Sequence, residues 1–90
     1  MVLAYVLVST KDEDPRRTAN AIISGDNVSS VHLIYGEWDI IARVKADDLI
    51  TLREVSLERI KRIKGVSKTT TLIVADETNP GDNPPPVEEE

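Results

Sequence analysis

Residues 35–48, YGEWDIIARVKADD, decide the fold. They follow the run VSSVHLIY (28–35) and contain DIIARVKA (39–46), two stretches rich in apolar and β-branched residues. Gly36 and Glu37 stand between them, and a glycine turn between two such runs is the pattern of an antiparallel hairpin. The stretch ends in Asp47 and Asp48, either of which suits the N-cap of a following helix.

Downstream, that helix is expected to run to a stop at Gly65. Its inward stripe reads Leu49, Leu52, Ser56, Ile60 and Ile63, at spacings of three and four. Acid at its start, with Arg59, Lys61, Arg62 and Lys64 at its end, complements the helix dipole. A last strand, VSKTTTLIVA, covers 66–75. Upstream, residues 1–9 form a Val- and Leu-rich strand bounded by Ser9-Thr10-Lys11-Asp12. Asp14 then caps a helix with Pro15 at its first position. This helix should reach about Ser24, stop at Gly25 and turn Ala19, Ile22 and Ile23 inward.

The element order is β-α-β-β-α-β, the ferredoxin-like split βαβ arrangement. Two right-handed crossovers place both helices on one face of a four-stranded antiparallel sheet, an α+β fold. The uncovered face should then be polar. Strand one breaks that rule, because Val2, Ala4, Val6, Val8 and the opposite set Leu3, Tyr5, Leu7 are all apolar or aromatic. In strand three Ile40, Ala42 and Val44 read as the helix-facing set, leaving Asp39, Ile41, Arg43 and Lys45 on the open face. In strand four Val66, Lys68, Thr70, Leu72 and Val74 read as helix-facing, leaving Ser67, Thr69, Thr71, Ile73 and Ala75 open. An apolar open face rimmed by polar groups marks an association surface. The expectation is a homodimer packed sheet against sheet, a dimeric α/β barrel-like sandwich with Tyr5, Trp38, Ile41 and Ile73 at the subunit contact.

Size points the same way. The folded part is 1–75, and a core of that size leaves a thin margin of stability. There is no cysteine, so disulfides and thiolate-bound metal are excluded, and a single histidine argues against an imidazole metal site. Neither a metal nor another cofactor is expected. Of 16 acidic residues, Asp76, Glu77, Asp82, Glu88, Glu89 and Glu90 lie beyond position 75, leaving ten acids against 11 bases in the domain. The formal charge of −5 therefore belongs to the Pro-rich segment 76–90, read as a solvated, mobile tail. The apolar start is too short to span a bilayer and lacks the flanks of a leader. A soluble, cytoplasmic protein without membrane contact is the expectation.

Two motifs carry a family resemblance. Gly36-Glu37-Trp38-Asp39 followed by IIARV, and Gly65-Val66-Ser67-Lys68-Thr69-Thr70-Thr71, resemble the glycine–aromatic–aspartate hairpin and the G-V-x-x-T-x-T entry to the last strand of Lrp/AsnC transcription regulators. The likeness is to their effector-binding, or RAM, domain and covers about 1–75. It implies a transcription-related binding module with no enzymatic activity. It also implies dimers that assemble into octamers or other rings, with a small effector, commonly an amino acid, bound between subunits. Carried over by motif, the ligand contacts are Gly36, Asp39, Thr69 and Thr71. The family's DNA-reading helix-turn-helix has no counterpart before the first strand. The expectation is a stand-alone domain that modulates full-length regulators without binding DNA itself.

Each of these residues also has a plainer role. Gly36 serves a hairpin, Asp39 can pair with Arg43 or Lys45, and Thr69 to Thr71 satisfy β-propensity alone. Trp38 suits packing in an interface core. His32 reads as a structural histidine, and the basic run RIKRIK as a solvated helix end without the interleaved aromatics of a nucleic-acid surface. The rival function is an enzyme on a dimeric α+β barrel, of monooxygenase or isomerase type, using His32 as base; no second catalytic group accompanies it. An ACT-type regulatory domain shares the element order, but STKDEDPRR lacks the glycine expected of its ligand turn.

Overall fold

The computed structural model describes residues 1–75, apart from the side chains of 55 and 56. The mobile-tail expectation for 76–90 and the place of Ser56 in the helix stripe lie outside the described residues. Four strands, β1 (Val2–Thr10), β2 (Val28–Leu33), β3 (Ile40–Ala46) and β4 (Val66–Ile73), form one sheet in the order β2-β3-β1-β4. All neighbours are antiparallel. Helix α1 (Pro15–Ile23) joins β1 to β2, and helix α2 (49–62) joins β3 to β4. This is the ferredoxin-like order read from the sequence.

The core is one face of the two central strands. Ala4, Val6 and Val8 of β1 stand beside Val44, Ala42 and Ile40 of β3, and all six are buried. Small side chains on the central strands let the helices sit close, and Ile22 of α1 and Leu52 and Ile60 of α2 complete the cluster. In α1 the inward residues are Thr18 and Ile22, with Ala19 half-buried and Ile23 left 42% exposed. The expected place of Ile23 is therefore corrected. The Thr18 hydroxyl tolerates full burial because it donates to the Asp12 carboxylate at 2.8 Å.

Helix α2 departs from the simple stripe. After one α-turn (Leu49–Thr51) it widens into a π-turn over Leu52–Leu57, closed by the Glu58 N–H donating to the Arg53 carbonyl, and returns to α geometry at Glu58–Arg62. The five-residue step brings Leu57 into line after Leu52, and Leu57 packs on the core. A uniform 3.6-residue period predicted Ser56 at that step. Leu49, expected inside, is 56% exposed.

The largest correction concerns β4. Its register against β1 pairs Val8 with Thr69, Val6 with Thr71 and Ala4 with Ile73. Directly paired residues share a sheet face, so Thr69, Thr71 and Ile73 lie on the helix side. Lys68, Thr70 and Leu72 join Ser9, Leu7 and Tyr5 on the open side. The Thr-rich strand has only weak alternation, so pairing with β1, and not its own pattern, sets its phase.

Arg59 ties the two helices together. Its guanidinium reaches from α2 to the C-terminal end of α1 and donates to the Ala21 carbonyl at 3.2 Å and the Ile22 carbonyl at 2.6 Å. A cation on two carbonyls of a helix's last turn is favoured by both hydrogen bonding and the dipole. A Cβ on Gly25 would occupy the guanidinium's place. Arg59, read from sequence as serving its own helix end, thus serves the neighbour's. Arg59→Ala should lower unfolding stability by about 2 kcal/mol, the scale of hydrogen bonds to a charged group. Gly25→Ala should be destabilising in the parent and much less so in the Arg59→Ala background. A double-mutant cycle by urea unfolding measures that coupling.

Two caps also set a pH response. Asp48 accepts from the Thr51 backbone N–H at 2.7 Å, which holds its carboxyl below the usual 3.8. Asp14 is lowered likewise, first by the Arg16 side chain and then by the Arg16 N–H. A depressed folded-state pKa adds stability above the unfolded value, and that stability is lost as pH falls through the folded one. Urea midpoints should therefore fall on acidification below about pH 4, and less steeply in Asp48→Ala.

Candidate ligand-binding and association site

The hairpin between β2 and β3 spans residues 34–39. Ile34 N–H donates to the Asp39 carbonyl at 2.9 Å, and Asp39 N–H donates to the Val8 carbonyl at 3.0 Å. Gly36 sits at the exposed tip with φ of +130°, a conformation that disfavours any Cβ, and the space beside it is open. Tyr35 is fully exposed and Trp38 half-buried.

Asp39 has a structural partner that the sequence did not suggest. The register of β1 against β4 shifts at Ser9/Thr10. The Thr10 N–H, at that irregularity, donates to Asp39 Oδ2 at 2.8 Å. The expected alternative, a pair with Arg43 or Lys45, is not formed; the one ion pair among the described residues joins Arg16 to Asp14. Arg43 bonds instead to the Ser29 hydroxyl at 3.3 Å. Asp39 Oδ1 accepts no hydrogen bond among the described residues, so half of the carboxylate is available to an incoming donor.

The next residues along β1 are anchored too. Lys11 N–H donates to the Gly65 carbonyl at 2.9 Å. Gly65 has φ of +99°, and a Cβ there would collide with the Asp12 carboxylate and the Thr18 hydroxyl. The end of β1 therefore links the glycine hairpin, the glycine entry to β4 and α1. Both recognisable motifs meet at this end of the sheet.

Within one chain, however, the four motif-derived contacts do not form a single pocket. By their pairing with β1, Thr69 and Thr71 are on the helix side, whereas Asp39 stands in the bend before β3 and bonds to the Thr10 amide. The association residues divide as well. Tyr5 and Ile41 share the open face with Leu3, Leu7 and Leu72, while Ile73 lies on the other side and lines a groove under α2. Leu72, 53% exposed, takes the place expected of Ile73. His32 is exposed on the open face, where it lines a shallow hollow of about 190 Å³ with Tyr5, Ser30, Ile41 and Arg43.

One face covered by helices, an uncovered face of mixed apolar and polar residues and a glycine-rich end bearing a half-free carboxylate define a small ferredoxin-like α+β domain. The family follows from comparison with known proteins: the model of the Lrp/AsnC ligand-binding domain matches residues 3–84, and the chain belongs to that family. An uncharacterised HTH-type transcriptional regulator of Pyrococcus furiosus is 33% identical over 73 residues, covering 78% of this chain and 49% of that regulator. The chain thus spans about half the length of the curated relative. A protein of Thermus thermophilus superposes with a TM-score of 0.81 at 26% identity, covering 88% of this chain and 99% of its own. A transcriptional regulator of Neisseria meningitidis, crystallised with L-methionine, superposes at 0.75 and 22% identity, covering 92% of this chain and 56% of its own, and shares the fold. No helix among the described residues is long and apolar enough to cross a membrane.

Asp39→Ala leaves the Thr10 amide without its partner. Even without ligand it should cost about 1–2 kcal/mol and speed exchange at the Thr10 amide, measured by urea unfolding and amide hydrogen exchange. A carboxylate whose only task is ligand binding would change neither.

Proposed function

We propose that this domain is an effector-binding and assembly module of transcription regulation. Its subunits pair through the open faces, with Tyr5, Ile41 and Leu72 at the contact and Trp38 packing at its margin. The effector is a small zwitterion, an α-amino acid. Its ammonium meets Asp39 Oδ1 and its carboxylate meets the backbone near Gly36. Thr69 and Thr71 reach the same ligand from a neighbouring subunit, which makes the complete site a product of assembly. Through rings of dimers, or by joining full-length regulators of the family, the module changes the regulator's oligomeric state in response to the effector.

The observation that carries this reading is the divided Asp39 carboxylate, one oxygen fixed by Thr10 and the other unused. A charged acceptor already oriented by the backbone loses little entropy on binding a cation. Support for the pairing comes from β1, whose open side of Leu3, Tyr5 and Leu7 is only half-buried in the single chain. The known proteins of the family add support as regulators, and the Neisseria complex makes methionine the first ligand to try.

Two measurements test it. Tyr5→Asp places a charge on the pairing face and should give monomers by sedimentation, where the parent gives dimers or larger rings. In a thermal-shift screen of the twenty amino acids, an effector at a hundredfold excess over Kd should add about 3 kcal/mol. Thr69→Val and Thr71→Val should each weaken that effect without dissociating the dimer. A well-formed dimer that responds to no amino acid would leave assembly alone as the function.

A further inference from the structure

The open side of the sheet carries cations and no carboxylate. Arg43 and Lys45 of β3 pair with Tyr5 and Leu3 of β1, and Lys68 of β4 pairs with Ser9. The β2 residues that share this side are Ser30 and His32. Arg43 and Lys45 are half-buried, and the Arg43 guanidinium reaches only the neutral Ser29 hydroxyl. Among the described residues none of the three cations has an ion-pair partner. Like charges gathered on one face repel, and pairing two such faces would double the number.

The chain leaves the sheet at the end where two of these cations stand. Val74 N–H donates to the Leu3 carbonyl at 2.8 Å, and Leu3 is the partner of Lys45 on the next strand. Lys45 is thus two strand spacings, about 10 Å, from the point of exit. A hollow of about 340 Å³ opens beside it, with Asn27, Val28, Ser29 and Asp47 in its lining. Asp47 shares that hollow but forms no ion pair with Lys45. Residues 76–90, which follow the exit, hold six acids and no base. Asp76 and Glu77 come first, and a chain of that length can span up to about 50 Å.

We propose that segment 76–90 docks on the Lys45 end of its own subunit's sheet, with its carboxylates on Lys45 and Arg43. Its course runs past Leu3 at the start of β1 and leaves the apolar centre of the open face uncovered. The segment supplies the counter-charge that the strands lack. Where two open faces pair, it offsets the repulsion between their cations; this consequence alone rests on the assembly reading above.

The chain has no cysteine, so Asn83→Cys accepts a single nitroxide on the full chain. Isotope-labelled, nitroxide-bearing chains diluted into unlabelled parent should show broadened amides at Arg43, Lys45 and residues 27–29. The broadening should fall in Lys45→Gln and when the six acids of 76–90 become amides. It should also fall in about 1 M salt, where the Debye length is about 3 Å. Broadening that ignores both charge and salt overturns the proposal. So does broadening seen only when nitroxide and isotope are on different chains, because the partner's segment would then be the occupant. By sedimentation the neutralised variant should pair about fivefold more weakly at low salt, the scale of a few exposed ion pairs, and equally at high salt. Stronger pairing of that variant overturns the counter-charge role. A parent that never pairs yet keeps the salt-sensitive broadening supports the docking and refutes the assembly reading instead.

Discussion

Strand β1 is apolar on both faces, and the rest of the molecule is arranged around that constraint. One side, Ala4, Val6 and Val8, is sealed by the two helices and the matching face of β3. The other side, Leu3, Tyr5 and Leu7, is only half-buried in the single chain. A strand paired on both edges cannot turn one face away without turning the other into water. The helices therefore solve half of the burial problem, and the proposed pairing between copies would solve the remainder.

The same strand also organises the end where the motifs converge. Asp39 holds the Thr10 amide, Gly65 receives the Lys11 amide, and Asp12 receives the buried Thr18 hydroxyl. Three consecutive residues thus join the hairpin, the α2–β4 turn and α1. A ligand that engages the free oxygen of Asp39 would act on a residue already bonded into this junction. Under the proposed effector reading, that would give a physical route from a small molecule to the packing of the domain.

Glycine has two distinct uses here. At Gly36 the positive φ alone excludes other residues, because the surrounding space is open. Gly65 combines a positive φ with the close approach of Asp12 and Thr18, so conformation and packing both exclude a side chain. The two glycines thus meet two different physical requirements, one of backbone shape alone and one of backbone shape and volume together.

The sequence by itself determined the order of elements, the cap at Asp14, a second cap at Asp47 or Asp48, the turn at Gly36 and the core residues of β3. These rest on local chemistry and on strong apolar patterns. The motifs likewise made the family legible before any geometry was known. Only the tertiary structure decided the phase of β4, the burial of Thr18, the π-turn that brings Leu57 inward, and the Arg59 and Thr10 contacts. Each of these depends on a partner distant in the chain: a weakly patterned threonine strand takes its face from the register of β1, and Asp39 finds its donor 29 residues away. Local periodicity carries no information about such partners, and that is why Ile73 and Leu72 exchanged places between expectation and structure.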